Sequence, residues 1–124
     1  MIEIPVSIGE VIDKITILKI KQKNITDISK LKNVNHELDL LNEKISDISI
    51  SENMFEELMN INEQLWEIED SIRLCEANND FGQEFIKLAR TVYITNDKRA
   101  ELKREINVYT NSELIEEKSY QRNL

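Results

Sequence analysis

The chain predicts an all-α protein, a four-helix bundle or helical-hairpin assembly organised on a long antiparallel pair made by its third and fourth helices. Three observations carry this. Apolar residues recur at alternating three- and four-residue spacing through most of the chain. Two Gly and one Pro in 124 residues leave few breakers, so turn-rich β folds and low-complexity disorder both fit badly. Four separate helix-start signals divide the periodic pattern into four segments. The length suits a single helical domain over residues 1–124, with a core of its own.

The elements follow in order. Residues 1–6 read as a short extended arm, because Pro5 pushes Ile4 away from helical geometry. Ser7 to Glu10 then has the pattern of a capping box, with Val6 and Val11 placed as a hydrophobic staple. The first helix is expected from Ile8 to about Asn24, burying Ile8, Val11, Ile12, Ile15 and Leu18 and exposing its lysines. Thr26 or Asp27 can cap the second helix, whose stripe is Leu31, Val34, Leu38, Leu41, Ile45 and Ile48. Ser49 or Ser51 starts the third, with Leu58, Ile61, Leu65, Ile68, Ile72 and Cys75 on its apolar stripe. Ala77 to Asp80 is the turn, since Asn tolerates left-handed backbone. Asp80 and Gln83 resemble another capping box, which predicts a fourth helix from Phe81 to about Tyr109. Helices 1 and 2 are expected to pack on the hairpin. Glu113 to Tyr120 reads as one or two further turns within a flexible tail of about 113–124.

Composition excludes several functions. The formal charge is −8, and between Leu31 and Asp80 three bases face thirteen acids. Nucleic-acid and anionic-membrane surfaces need clustered Lys and Arg, so neither partner is expected. No segment approaches the ~20 apolar residues of a membrane span, and the first ten residues lack the basic head of a signal peptide. A soluble cytoplasmic protein is expected. Cys75 stands alone on an apolar stripe and reads as a buried, inert thiol. His36 lies off its helix's stripe with no second ligand at metal spacing, so no metal and no cofactor are expected.

One stretch interrupts the pattern. The fourth helix's seam of Phe81, Phe85, Leu88, Val92, Leu102, Ile106 and Tyr109 has Thr95 and Arg99 in its middle. Counting back from a turn near Asn79, this break meets Asn62 on a second line of the third helix. A polar layer of Asn62, Thr95, Asn96 and Arg99 results, walled by Trp66, with Glu69, Arg73 and Arg90 closer to the turn. Two readings stay open. Polar layers fix register and pairing in bundles, and Glu69 with Arg73 is an ordinary i,i+4 pair. Alternatively Arg90, Arg99 and Lys103 hold a small anionic ligand against Trp66 and Tyr93, with Asn62 and Asn96 giving neutral hydrogen bonds. No nucleophile–base pair is visible, so no catalytic residue is assigned. The Glu-x-x-Glu then Glu-x-x-Asp pattern of helical nucleotide pyrophosphatases is met only in its second half, by Glu67 and Asp70.

The blocks IPVSIGEVIDKITILKIK, LWEIEDSIRLCE, DFGQEFIKLARTVYITNDKRAELKREIN and SELIEEKSY resemble a family of small bacterial proteins classed as a domain of unknown function. The resemblance covers nearly the whole chain in the right order. It implies no reaction; it implies an association with genes for envelope polysaccharide and glycosyltransferases. The family's pattern includes Asn62, Trp66, Glu69, Asp70, Arg73, Arg90, Tyr93, Asn96, Asp97, Arg99 and Lys103, and also Glu116, Glu117 and Lys118. Before Ser112 the family has a Gly where this chain has Asn111.

The expectation is thus a non-catalytic interaction or accessory module with a possible protein partner, or else a small helical enzyme or sensor for a phosphate- or carboxylate-bearing metabolite. An overhanging fourth helix would leave apolar surface to bury by self-association, so a homodimer is expected.

Overall fold

The computed structural model describes residues 1–119 and is an all-α bundle. Its helices are α1 (Ile8–Asn24), α2 (Ile28–Lys44), α3 (Glu52–Ala77) and α4 (Gln83–Tyr109). Local chemistry sets most of the boundaries. Ser7, Asp27 and Ser51 are the N-caps of α1, α2 and α3, and each side chain accepts from the backbone N–H three residues on. The α3–α4 turn is a Schellman motif. Asn79 takes a left-handed φ of 53°, and the Asp80 N–H donates to the Cys75 carbonyl at 2.9 Å. The end of α4 repeats this at Asn111, φ 54°, with Ser112 N–H on the Asn107 carbonyl at 2.8 Å.

Two expectations about the ends of elements are corrected. Asp80 does not cap α4; it accepts from Gly82 N–H within the turn, and α4 starts at Gln83 with Gly82 as a cap that makes no side-chain bond. The Schellman closure consumes Asp80, so Phe81 and Gly82 stay outside the helix. The expected turns after Glu113 do not form, and residues 113–119 are irregular. Residues 120–124 of the expected tail lie outside the described residues.

The packing order also differs from a pair of helices laid on a hairpin. α3 and α4 do form the long antiparallel hairpin, but α1 lies against all three other helices, whereas α2 makes its close backbone approach to α1 alone. The reason is that α1 has two faces to bury. Ile15 and Leu18 pack with Val34 and Leu38 of α2, a cluster that Phe55 of α3 also reaches. Ile12 packs between Leu58 of α3 and Ile106 of α4. Seven of the seventeen residues of α1 are buried, against two of α2, which makes α1 the central element.

Helix lengths then dictate a projection. α1 runs antiparallel to α4, with Gly9 bonded to Asn107 near the C-terminal end of α4. At 1.5 Å per residue α1 covers about 25 Å and α4 about 40 Å. The hairpin therefore continues about 15 Å past α1, from the level of Val92 to the turn. Leu74, Phe81 and Ile86 in this region are 63%, 50% and 54% exposed.

Candidate functional site

The polar layer is present, and its centre is a residue that the seam analysis does not name. Asp13 of α1 is 0% exposed. Arg99 grips it with two parallel bonds, Nε on Oδ1 at 3.0 Å and Nη2 on Oδ2. This planar fork on a carboxylate is the strongest geometry available to such a pair. Asn62 Nδ2 donates to the same Oδ1 at 2.8 Å and to Thr16 Oγ1 at 2.7 Å. Thr16 Oγ1 in turn donates to the Asp13 carbonyl at 2.7 Å. One carboxylate thus joins α1, α3 and α4.

Lys103 extends the network outward. Its Nζ lies 2.6 Å from Glu10, 3.3 Å from Glu116 and 4.0 Å from Asp13 Oδ2. Three carboxylates therefore surround two cations. Burial is the largest influence on the Lys103 ammonium and pulls it down, but the Glu10 bond and the charges of Glu10, Asp13 and Glu116 together leave it raised. Arg99 is raised first by its bond to Asp13, against desolvation. Lys103's charge holds the Glu116 carboxyl below its ordinary value, with burial opposing. Glu10, drawn to Lys103, does not complete the expected capping box: Ser7 supplies its half, and the Glu10 carboxylate faces α4.

The two ends of the chain close on this layer. A helix start leaves four backbone N–H groups without intrahelical partners. Here those of Ile8, Gly9 and Glu10 are met: Ile8 by Ser112 Oγ at 3.0 Å, Gly9 by Asn107 Oδ1 at 2.6 Å and Glu10 by Ser7 Oγ at 3.1 Å. Two of these acceptors come from the far end of the sequence. Gly9 is required by the approach, since a Cβ there would sit 2.5 Å from the Lys103 carbonyl oxygen. Beyond Ser112, Glu116 reaches Lys103, Glu117 pairs with Arg104, and Lys118 lies 3.6 Å from Glu116.

A family model of unknown function, DUF6165, matches residues 2–124. The chain belongs to that family. No curated protein and no solved structure gave a match. In this DUF6165 chain the closing SELIEEK block has a visible task, because its Ser and two of its Glu residues tie the tail to α1 and α4.

The remaining sequence-predicted residues fall into groups. Asn62, Arg99 and Lys103 converge on Asp13 and Glu10. Thr95 is buried in α4 beside them, and Asn96 is half-buried without joining the bonds to Asp13. Trp66 is half-buried on α3. Glu69 and Arg73 form an exposed pair at 3.6 Å, further along α3. Arg90 is exposed and lines a shallow groove on the outer side of α4 with Lys87 and Ile94; Tyr93 is 42% exposed. The Asn62–Arg99 match comes about one turn from the Asn62–Asn96 level expected, because the turn includes Phe81 and Gly82.

Chemically the layer is made of carboxylates, cations, an amide and a hydroxyl. Cys75 lies thirteen residues beyond Asn62, roughly 20 Å along α3, and burial with Asp80 and Glu84 pushes its thiol up. His36 is on the exposed face of α2. Among the described residues no three His, Cys, Asp or Glu side chains are placed to hold a metal ion, and no helix is long and apolar enough to cross a membrane.

Proposed function

We propose that the protein is a cytoplasmic, non-catalytic interaction module, in which the polar layer is a clasp and the projecting hairpin is the surface offered to a partner. The observation that carries this reading is the completeness of the layer. Arg99 is spent on Asp13, Lys103 on Glu10 and Glu116, and among the described residues no buried side-chain nitrogen or oxygen lacks a partner. A fully satisfied network rigidifies and specifies a core. The gene setting implied by the family resemblance makes an enzyme of envelope-polysaccharide synthesis the partner class such an accessory would serve.

The anionic-ligand reading is favoured by one observation of its own. Glu116 is 46% exposed on an irregular segment, and its carboxylate is what a free carboxylate or phosphate would replace at Lys103. A thermal-shift panel of anionic metabolites, sugar nucleotides and divalent metals separates the two readings. No saturable shift is expected from the clasp. A saturable rise with a phosphate- or carboxylate-bearing compound, lost in Lys103→Met measured against its own unliganded melt, overturns the non-catalytic module in favour of a metabolite site.

A further inference from the structure

The segment after α4 turns back along that helix, and two unlike kinds of attachment hold it. Ser112 is buried and makes three hydrogen bonds. Its N–H donates to the Asn107 carbonyl at 2.8 Å, and its Oγ accepts from Ile8 N–H at 3.0 Å and donates to the Leu114 carbonyl at 2.8 Å. Beyond it, residues 113–119 form neither helix nor strand. Leu114 and Ile115 are 43% and 41% exposed and belong to neither core cluster. Charge seats the segment on α4: two consecutive acids, Glu116 and Glu117, lie on two consecutive bases, Lys103 and Arg104. Lys118 takes the other oxygen of the Glu116 carboxylate at 3.6 Å. Arg104 and both acids are half-exposed or more. An exposed ion pair shifts an equilibrium by at most about fivefold, and salt screens it.

We propose that residues 113–117 are a strap, hinged at Ser112 and latched by charge, which opens while the bundle stays closed and so governs access to Lys103. Three features make it separable. The hinge is buried and bonded to both α1 and α4, so opening stops there. The strap contributes no apolar side chain to the core. The helices also pair Lys103 without it: Glu10 lies 2.6 Å from Nζ, and Asp13, itself held by Arg99, lies at 4.0 Å. What opening changes is the surface. With the strap closed, Glu116 occupies one side of Lys103, whose side chain is 11% exposed. With it open, that side faces water and Arg104 loses Glu117. The strap is thus an autoinhibitory contact: an anion reaches Lys103 only in the open state, so its apparent affinity is reduced by the fraction of molecules that are open. The device rests on neither reading of the polar layer, since a clasp and a metabolite site would both carry it.

The test is nitrogen-15 relaxation of the full chain at about 20 mM and about 1 M salt, where the screening length falls to about 3 Å. Backbone order parameters of residues 114–117 are expected to be rigid, about 0.85, in low salt and below about 0.6 in high salt, with Ser112 and the four helices unchanged. Glu117→Lys should open the strap in low salt, and Arg104→Glu added to it should close the strap again; both positions are exposed. Trace acylation with acetic anhydride, read by mass spectrometry, reports on access: Lys103 should label about two- to fivefold faster in Glu117→Lys than in the wild type. A segment still rigid in high salt overturns the charge latch, and one already flexible in low salt overturns the closed state. Helices that loosen together with the segment overturn its separability. Failure of Arg104→Glu to close the Glu117→Lys strap overturns the pairing, and unchanged Lys103 labelling overturns the autoinhibition. The ligand panel tests the two functional readings independently of these outcomes.

Discussion

Removing Arg99 leaves the Asp13 carboxylate, 0% exposed in the intact protein, with a single side-chain donor, Asn62, and Lys103 at 4.0 Å. Breaking a buried pair by deleting one partner costs about 3–5 kcal/mol. Arg99's own side chain is 29% exposed and Asn62 stays in place, so Arg99→Ala belongs at the lower end, about 3 kcal/mol. For a chain of this length one kcal/mol corresponds to about 4 °C, which gives a fall in Tm of about 12 °C. Asp13→Ala should cost about 2–3 kcal/mol, because the stranded guanidinium can turn to water but Asn62 keeps only Thr16. Residues in one network do not add, so the double variant should cost at least about 1.5 kcal/mol less than the sum of the singles. Urea unfolding followed by circular dichroism gives all three values from one double-mutant cycle. A cost below about 1 kcal/mol for Arg99→Ala, or strict additivity in the double variant, refutes the clasp and frees Arg99 for a ligand.

Three further outcomes follow from the same geometry. Gly9→Ala, which in an ordinary helix interior stabilises by about 0.5–1 kcal/mol, should here lower stability by about 1–3 kcal/mol, because the new Cβ meets backbone oxygen at 2.5 Å; thermal melts read the sign directly. Glu116 has a folded value below its ordinary 4.5, so its stabilising contribution is full above pH 4.5 and is lost as pH falls through the folded value. The Tm gap between wild type and Glu116→Gln should accordingly be constant near neutrality and close in acid; a gap that widens in acid contradicts the pairing with Lys103. Amide hydrogen exchange should open α2 before the other helices, since α2 has only Val34 and Leu38 buried and no part in the Asp13 network; slower exchange in α2 than in α1 contradicts the central place of α1.

The elements were legible because their causes are local. Three N-caps, the stripes and the left-handed Asn79 can be read residue by residue, and Asn111, at φ 54°, takes the left-handed backbone that Gly or Asn tolerates. The start of α4 was misplaced because Asp80 offers the same side chain to a helix cap and to a Schellman turn, and only the closed turn decides between them. The layer was half legible. Asn62 and Arg99 stand out as polar breaks in apolar stripes, but a hairpin count pairs two helices and is blind to a third. Asp13 did carry a signal: Gly9, Asp13, Thr16 and Ile20 recur at steps of four, three and four, and all are buried. A line of small and polar residues beside an apolar stripe looks like a solvated flank until something covers it. The tail was opaque for a different reason, since its bonds to Lys103 and Ile8 span 13 and 104 residues and no periodicity records them.

The charges of the layer decide how the two functional readings relate. Asp13, Glu10 and Glu116 carry three negative charges against the three positive charges of Arg99, Lys103 and Lys118. An added anion would meet cations already matched by carboxylates, so it cannot simply join the network. Asp13 is fully buried and held by a bidentate fork, and Glu10 is fixed near the start of α1. Glu116 alone is held by an irregular segment, with bonds that a carboxylate or phosphate can duplicate. Any anionic ligand must therefore take the place of Glu116. Doing so removes one tie of the tail, while the Ser112 bond to the first N–H of α1 remains. With such a ligand, clasp and pocket would be two states of one lysine, and Glu116 would set the balance between them. Glu116→Gln, which removes the competing charge and keeps the shape, is the variant in which a weak ligand would first become visible.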